Sequence, residues 1–250
     1  MRLLLEKSLY HLPFWLCYTG GVDILGIFFP KRCINCRKFG SYICSDCFIL
    51  FDFDAPLICG VCGRQAVGGL THPVCKGKYD IDGIFASLVY KGITKKLVYQ
   101  FKFQPYLTDL RRVIGQLMYE GLIQQEAFYN VDKQSSFLLP IPLHKKRLRE
   151  RGYNQSEIMA IDLGIRLGLP IKKLLIRQVK TERQVGKTQK ERRENVKGAF
   201  SIVEGSGITG KTIFLIDDVV TSGSTMNEAA KLLKRNGAKA VYGLALAHGL

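Results

Sequence analysis

The hydrophobic positions of residues 80–250 form two alternating patterns, short continuous apolar runs and longer stripes with helical spacing. The run Thr212–Ile216 is apolar without alternation, which indicates a strand that is buried on both faces. Similar runs predict further strands at Ile84–Tyr90, Ser136–Ile141, Leu174–Arg177 and Ala240–Leu246.

Segments with helical spacing lie between these runs. In Leu107–Gln124, for example, Leu110, Ile114 and Leu117 recur on one face. The segment Ser224–Arg235 predicts a helix that stops at the Asn-Gly pair after it. The other predicted helices are Lys95–Phe103 and Asn154–Leu167. Strands that alternate with helices predict an α/β fold, a parallel sheet flanked by helices on both faces.

Two further regions precede this predicted α/β domain. Residues 1–29 form an apolar leader, and residues 30–79 are rich in cysteine and glycine with little periodicity. The longest uncharged stretch of the leader, Ser8–Val22, contains Pro13 and falls short of the ~20 apolar residues of a spanning helix. Three interpretations stay open: a segment docked on the protein's own core, an interfacial membrane helix, or a poorly ordered leader. We expect a cytoplasmic protein, with peripheral contact at the inner membrane left open.

Seven of the eight cysteines fall between residues 33 and 75. Two pairs with the spacing Cys-x-x-Cys come first, and a third such pair is followed by a His-x-x-Cys pair. Two such pairs supply the four ligands of a closed, structural zinc site. The spacing therefore predicts a Cys₄ site and a Cys₃His site, with the ligands Cys33, Cys36, Cys44 and Cys47, and Cys59, Cys62, His72 and Cys75. Cys17 stands apart and is interpreted as a small buried residue.

The net charge is +16, and its distribution along the chain is uneven. Residues 133–197 hold 17 Lys and Arg against 6 Asp and Glu, a net charge of +11. A cluster of this size favours anionic partners such as nucleic acid or phosphorylated metabolites, although a solubilising surface remains an alternative.

The segment after the predicted strand Thr212–Ile216 carries the most specific chemistry. Asp217 and Asp218 follow the strand directly, and a Thr-Ser-Gly-Ser-Thr turn at 221–225 opens the next helix. Backbone amides at a helix N-terminus favour a phosphate group. Paired carboxylates suit the vicinal hydroxyls of a ribose, or a position near Mg²⁺.

This segment resembles the signature with which type I phosphoribosyltransferases bind 5-phosphoribosyl-1-pyrophosphate (PRPP). The resemblance implies that Asp217 and Asp218 contact the ribose hydroxyls and that residues 221–225 hold the 5-phosphate. The residues of the implied PRPP site are Asp217, Asp218, Val219, Val220, Thr221, Ser222, Gly223, Ser224 and Thr225.

Three further motifs occur in a fixed order around this signature: the cysteine pairs, RGYNQ at 151–155 and ERRENVKGAF at 191–200. In this order the chain is similar to the ComF family, ComFC type, of bacterial natural competence, over roughly residues 23–250. His72 departs from the expected cysteine. The resemblance implies a zinc-ribbon region before a type I phosphoribosyltransferase fold, with Mg²⁺ accompanying PRPP. It also implies the handling of single-stranded DNA during transformation, with competence-machinery proteins as further partners.

The same resemblance implies two loops that would meet pyrophosphate. The pyrophosphate loop would contain Leu143, His144, Lys145, Lys146 and Arg147. The hood loop would lie in Lys180–Arg193, with Lys180, Arg183, Lys187 and Lys190. Candidate nucleic-acid contacts in the basic window are Lys145, Lys146, Arg147, Arg149, Arg151, Arg192, Arg193 and Lys197. Tyr153 and Phe200 lie beside such cations and are interpreted either as stacking partners or as core residues.

Three functional hypotheses follow. The first is a transferase with an unidentified base or amine acceptor, and the second is a DNA-handling protein whose site binds PRPP or a 5′-phosphate end. The third is a ligand-sensing regulator of the purine-repressor kind, which ranks last because no helix-turn-helix is predicted. No segment identifies an acceptor, so turnover stays an open question at this stage.

Overall fold

The computed structural model describes residues 31–103, 110–179, 189–203 and 207–249. Its centre is a four-stranded parallel sheet with the strand order β1-β6-β5-β2. The strands are β1 (Gly83–Val89), β2 (Ser136–Pro140), β5 (Thr212–Val220) and β6 (Ala240–His248). The parallel sheet predicted from the apolar runs is therefore confirmed.

Helices cover both faces of the sheet. One face packs against α2 (Gly92–Phe103), α3 (Leu110–Ile123), α4 (Glu126–Tyr129) and α6 (Gln155–Leu167), and the other against α8 (Ser224–Arg235). Alternate residues of β1 separate the two cores, since Phe85 belongs to the first and Ile84 to the second. The helix predicted at Ser224–Arg235 has the predicted bounds.

A small second sheet corrects one sequence expectation. The short strand predicted near Leu174–Arg177 forms as β3 (Leu175–Arg177), but it pairs antiparallel with β4 (Phe200–Ile202) outside the parallel sheet. With three residues each, these two strands form only a short local pair. Helix α5 (Lys145–Arg151) precedes α6 in the chain, and helix α7 (Gln189–Val196) lies between β3 and β4.

The central strand β5 is longer than the sequence indicated. The apolar run predicts an end at Ile216, whereas β5 continues through Asp217 and Asp218 to Val220. The register gives the reason: β2 ends at Pro140 opposite Ile216, but β6 stays paired as far as Val220 opposite His248. Both carboxylates therefore belong to a strand that has lost one of its two neighbours.

The cysteine-rich region contains little regular structure, namely α1 (Ser45–Phe48) and two 3₁₀ turns, at Val67–Gly69 and Pro73–Cys75. Its apolar residues enter both cores of the sheet. Cys33 and Phe51 lie in the first core, and Ile58 lies in the second. Among the described residues no helix combines the length and apolar character needed to cross a bilayer. The leader 1–29, with Cys17, lies outside those residues.

Candidate functional site

The two carboxylates lie at the carboxyl end of the sheet, where open α/β sheets bind their ligands. Asp218 is buried, whereas Asp217 is half-buried. Because successive residues of a strand point to opposite faces, the two side chains have different partners. The side-chain partners of both carboxylates come from distant parts of the chain.

Asp218 forms an ion pair with a lysine from a distant helix. Nζ of Lys102, in the last turn of α2, donates to Oδ1 of Asp218 at 2.9 Å. Both side chains are largely buried, so the pair is shielded from solvent more than a surface ion pair would be. Sequence reasoning missed Lys102, because 116 residues separate the partners and no motif surrounds the lysine.

Asp217 accepts hydrogen bonds from uncharged donors. Its Oδ1 accepts from the Asp218 amide at 2.9 Å and from Oγ of Ser156 at 3.3 Å. Asn154 positions Ser156, because its Oδ1 accepts from the Ser156 amide and its Nδ2 donates to the carbonyl of Ile141 just after β2. The Asn of RGYNQ thus caps α6 and ties that helix to the sheet edge.

The surroundings of Asp217 disfavour its ionised form. Burial, and then the neighbouring charge of Asp218, raise its pKa to about 6. The Asp218 amide, Lys102 and Arg177 act in the opposite direction without cancelling these effects. Arg177 comes from β3 and is itself buried, which lowers its pKa, while the attraction of Asp217 raises it. An arginine of the small sheet therefore lies near enough to influence this carboxylate electrostatically, a relation that the sequence did not reveal.

The turn after β5 leads directly into α8. Gly223 precedes α8 with φ +72°, a conformation that favours glycine. Oγ of Ser222 lies 2.8 Å from Oγ of Ser224. The first amides of α8 have no acceptor within the helix, which makes this turn suited to an anion. Val219 and Val220, by contrast, pack against the two cores.

A buried histidine supports the start of the turn. His248, at the end of β6, donates from Nε2 to the carbonyl of Thr221 at 3.1 Å, and burial lowers its pKa. Thr221, Ser222 and His248 line a cleft of about 710 Å³. The opposite wall comes from the cysteine-rich region, including Asp54, Ile58 and Gln65, and Arg192 of α7 also lines this cleft.

The structure describes the two loops implied to meet pyrophosphate to different extents. The implied pyrophosphate loop is only partly a loop, because Lys145, Lys146 and Arg147 form the first turn of α5. His144 caps this helix by accepting from the Lys146 amide at 3.3 Å, so the loop ends there. In the hood, Lys180, Arg183 and Lys187 lie outside the described residues, as does the side chain of Lys190. The last residues of that segment are helical, in α7.

The first cysteine cluster has the arrangement of a metal site. The sulfurs of Cys33, Cys36, Cys44 and Cys47 lie within 4.8 Å of one another. The Cys36 and Cys44 sulfurs are 3.5 Å apart, close to the roughly 3.8 Å edge of a tetrahedron with Zn–S bonds of about 2.3 Å. Burial opposes ionisation of Cys33, but backbone amides, first that of Cys36, outweigh it and lower its pKa to about 6. Burial and the Cys36 thiol raise the pKa of Cys44 to about 12, which favours its neutral form unless a cation is bound.

The second cluster also fits a metal ion. The donor atoms of Cys59, Cys62, His72 and Cys75 lie within 4.8 Å of one another. His72 donates from Nε2 to the carbonyl of Gln65 at 2.9 Å. This bond leaves the lone pair of Nδ1 facing Cys62, whose sulfur is 3.4 Å away. Histidine therefore fits where a cysteine was expected, and the described cysteines of both clusters are free of disulfides.

The second cluster lies directly against the turn at 221–225, called the phosphate turn below after the group that the resemblance implies for it. A Cβ on Gly223 would be 3.0 Å from Cα of Gly60, the residue after Cys59. The guanidinium of Arg193, in α7, donates to the carbonyl of Val61 in the same knuckle. The ERRENVKGAF motif, the second knuckle and the phosphate turn therefore meet.

The candidate nucleic-acid residues lie mostly at the surface. Lys145, Lys146 and Arg149 of α5 are exposed, as are Arg193 and Lys197 in and after α7. Arg147, Arg151 and Arg192 are half-buried. The aromatic residues have structural roles: Phe200 is buried in the second core, and the Tyr153 hydroxyl donates to the Phe101 carbonyl. The interpretation of both as core residues fits these contacts.

Comparisons with known proteins agree with this geometry. Residues 143–248 match the family model described as a phosphoribosyl transferase domain. Competence protein F of Haemophilus influenzae is 32% identical over 88% of this chain and 99% of its own length. DNA utilization protein YhgH of Escherichia coli K12 is 34% identical over 85% of this chain and 94% of its own length. Competence protein ComFC of Streptococcus pneumoniae is 28% identical over 82% of this chain and 87% of its own length.

Proposed function

Because the chain belongs to the ComF family of competence proteins, we propose that it handles incoming single-stranded DNA during natural transformation, using a domain that binds PRPP with Mg²⁺. Two of the relatives are named for competence and one for DNA utilization. We infer a cytoplasmic location, with competence-machinery proteins as further partners, and the free thiols fit a reducing compartment.

The observation that carries the proposal is the position of Asp217 and Asp218 beside the turn at 221–225. Carboxylate oxygens accept hydrogen bonds only, so they suit ribose hydroxyls and repel a bare phosphate. The turn offers amides at the N-terminus of α8, which suit the 5-phosphate. A ribose 5-phosphate satisfies both groups at once, whereas inorganic phosphate satisfies one.

The remaining part of PRPP is its pyrophosphate. We propose that Leu143 and His144 bind it at the start of α5, together with Lys145, Lys146 and Arg147. Hood residues Lys180, Arg183, Lys187 and Lys190 are proposed to close over it. Mg²⁺ bound with PRPP supplies charge neutralisation of the pyrophosphate.

We propose that both cysteine clusters hold structural Zn²⁺. The donor sets are closed four-ligand sets, and such sites stabilise small irregular segments that lack a core of their own. The second site would also hold the knuckle that contacts the phosphate turn.

A thermal-shift panel in the presence of Mg²⁺ tests the ribose-phosphate site. We expect PRPP to raise the melting temperature most, ribose 5-phosphate to raise it less, and inorganic phosphate or pyrophosphate alone to raise it least. Equal shifts with pyrophosphate and PRPP would indicate a general anion site and contradict the proposal.

An active phosphoribosyltransferase is the second candidate, favoured by the cleft of about 710 Å³ beside Thr221 and Ser222. Its size is within the range of small-molecule sites and suits a base or amine acceptor. A pyrophosphate-release assay with a panel of bases and amines separates the two candidates. Steady release that depends on one acceptor favours the enzyme, and binding without release favours PRPP as a signal.

A further inference from the structure

Two aromatic rings stand exposed on helix α2, close to the ribose-phosphate site. The side chains of Tyr99 and Phe103 are 64% and 54% exposed, and their ring centroids are 4.8 Å apart. The residues are four apart, so the rings lie on one helix face, one above the other. Neither ring contributes to the cores of the sheet. The pair therefore leaves two adjacent ring faces available to a ligand.

Cationic residues occur on both helices next to this aromatic pair, and one of them lies over a ring. The guanidinium carbon of Arg151, at the end of α5, lies 5.8 Å from the Phe103 ring centroid. Helix α5 has the sequence KKRLRER, with five basic residues and one acid. On the same face of α2, Lys95 lies one turn before Tyr99, and α2 itself contains three lysines and no acid.

The part of α2 that carries the rings is held rigidly. The Tyr153 hydroxyl donates to the Phe101 carbonyl, and the rings of these two residues pack edge to face with centroids 6.1 Å apart. Lys102, between Phe101 and Phe103, is fixed by its ion pair with Asp218. A helix end fixed at adjacent residues presents its exposed rings in one orientation, which lowers the entropic cost of binding.

We propose that Tyr99 and Phe103 form a stacking platform for the unpaired bases of a nucleic-acid strand, with the cations of α5 following its phosphates. The proposal rests on the proposed DNA role and assigns that role a surface. Exposed aromatic rings beside cations are the arrangement with which proteins bind single strands without sequence preference. A base-paired duplex hides its ring faces from such a platform.

The dense positive charge argues against an apolar protein partner. A protein interface on these rings would bury the neighbouring Arg151 and the lysines of α5, and desolvating those charges is costly without acidic partners. A nucleic-acid strand supplies one phosphate for each base, so the rings and the cations are satisfied together. Because Lys102 joins α2 to Asp218, a strand on this platform lies beside the ribose-phosphate site.

The test uses the full-length protein and two oligonucleotides of equal length, oligo(dT) and a strand with the same phosphates but abasic sugars. Affinity is measured by fluorescence anisotropy for wild type, Tyr99→Ala, Phe103→Ala and the matched control Tyr129→Ala. Tyr129 is also an exposed tyrosine, 73% exposed, with Nζ of Lys133 5.9 Å from its ring centroid. All variants are first checked for wild-type melting temperatures.

Stacking predicts that each platform variant binds oligo(dT) roughly 5- to 100-fold more weakly than wild type. The same variants should bind the abasic strand as wild type does, because no base is present to stack. Tyr129→Ala should match wild type on both strands. A Lys145→Ala/Lys146→Ala variant should bind both strands more weakly. The slope of log K against log [salt] should become shallower by about 1 to 2.

The possible negative results distinguish an error in the stacking platform from an error in the proposed DNA role. If wild type binds oligo(dT) but the platform variants bind it equally well, the platform is wrong and the proposed DNA role stands. If wild type binds neither strand, the DNA role and the platform fall together. Equal weakening on both strands would mean that the rings contribute to binding without stacking on bases, and would also overturn the proposal.

Discussion

At the scale of single residues, the two neighbouring carboxylates of the site are not equivalent. Asp218 is neutralised by Lys102, whereas Asp217 has only hydroxyl and amide donors on its Oδ1 and a pKa raised to about 6. An acid whose pKa is raised on folding stabilises the fold below its unfolded pKa, and this contribution is lost as the pH rises through about 6. Ionised Asp217 therefore lowers the stability of the fold at neutral pH.

The first prediction concerns Asp217→Asn. The amide cannot ionise, so the variant should be more stable than wild type by about 2 kcal/mol at pH 7.5 and should show no advantage at pH 4. Urea unfolding at both pH values measures the difference. Asp132→Asn, at an exposed position, is the control and should change little at either pH. A variant at Asp217 no more stable than wild type at pH 7.5 would contradict the assigned pKa.

Sequence reasoning identified residues that lie within contiguous motifs. The cysteine pairs and the turn at 221–225 carry their spacing in the chain, and their side chains lie together as expected. Lys102, Ser156 and Arg177 were missed, because only tertiary packing brings them to the carboxylates. The signal that existed for Ser156 was Asn154, whose type favours a helix N-cap.

At the scale of elements, the turn at 221–225 is held between strand β1 and the second cysteine knuckle. A side chain on Gly223 would meet Cδ1 of Ile84 at 2.7 Å and Cα of Gly60 at 3.0 Å. The turn therefore depends on a glycine for two reasons, its positive φ and the lack of space. Gly210 shares the first reason, with φ +70°, but a Cβ added there would meet open space, with no neighbouring atom within 4 Å.

The second prediction compares Gly223→Ala with Gly210→Ala. In both variants backbone strain should lower the free energy of unfolding by about 1 kcal/mol, because both residues have positive φ. Gly223→Ala should lose roughly 1 to 3 kcal/mol more and should bind PRPP at least tenfold more weakly, since the turn must move away from Ile84 and Gly60. Chemical denaturation and calorimetric titration measure both effects. Equal losses in the two variants would show that the knuckle does not restrict the turn.

The third prediction compares the two metal clusters. Cys62→Ser removes a ligand of the cluster that touches the phosphate turn, and Cys36→Ser removes the corresponding ligand of the other cluster. The first cluster instead contacts α2, where Nζ of Lys96 donates to Oδ1 of Asn35 at 2.8 Å. We expect both variants to lose one zinc ion by elemental analysis. PRPP affinity should fall about tenfold in Cys62→Ser and change less than about threefold in Cys36→Ser.

Two results would contradict this prediction. If both variants lose zinc and retain wild-type PRPP affinity, the second knuckle is a passive neighbour of the turn. If Cys36→Ser loses the greater share of PRPP affinity, the cluster beside α2 is the one that supports the site, through Lys102 and Asp218.

The elements that were predicted wrongly share a cause. The end of β5 depends on a pairing partner, β6, whose residues are more than 20 positions away, and no local pattern records where that pairing stops. Helix α5 is highly charged and lacks a buried face, so hydrophobic spacing gave no signal for it. The bounds of β1 and α6, which have clear apolar faces, were predicted to within one residue at each end, whereas α2 begins three residues before its predicted start.

At the scale of the whole molecule, the cysteine-rich region and the sheet share their cores. Cys33, Ile34 and Phe51 pack with α2 and α3, whereas Ala55 and Ile58 pack with α8. Composition alone separates residues 30–79 from the rest of the chain, and that boundary stays a prediction. Packing of this kind is invisible in sequence, because the apolar residues of this region follow neither the helical nor the strand period.

The cationic side chains behind the net charge of +16 also lie in particular places, which composition alone does not show. Cations lie on α5 beside the exposed rings of Tyr99 and Phe103, and on α7 beside the second knuckle. The paired acids lie within this basic surrounding. A charge distribution of this kind favours anionic partners such as phosphates.

The central claim is that the carboxylates and the phosphate turn bind one ribose 5-phosphate group, and calorimetric titration with PRPP and Mg²⁺ tests it most directly. We predict saturable binding of one PRPP per chain to wild type and at least a 100-fold loss of affinity in Asp217→Asn/Asp218→Asn, with the fold retained. Absence of binding to wild type, or unchanged affinity in the double variant, would contradict the account.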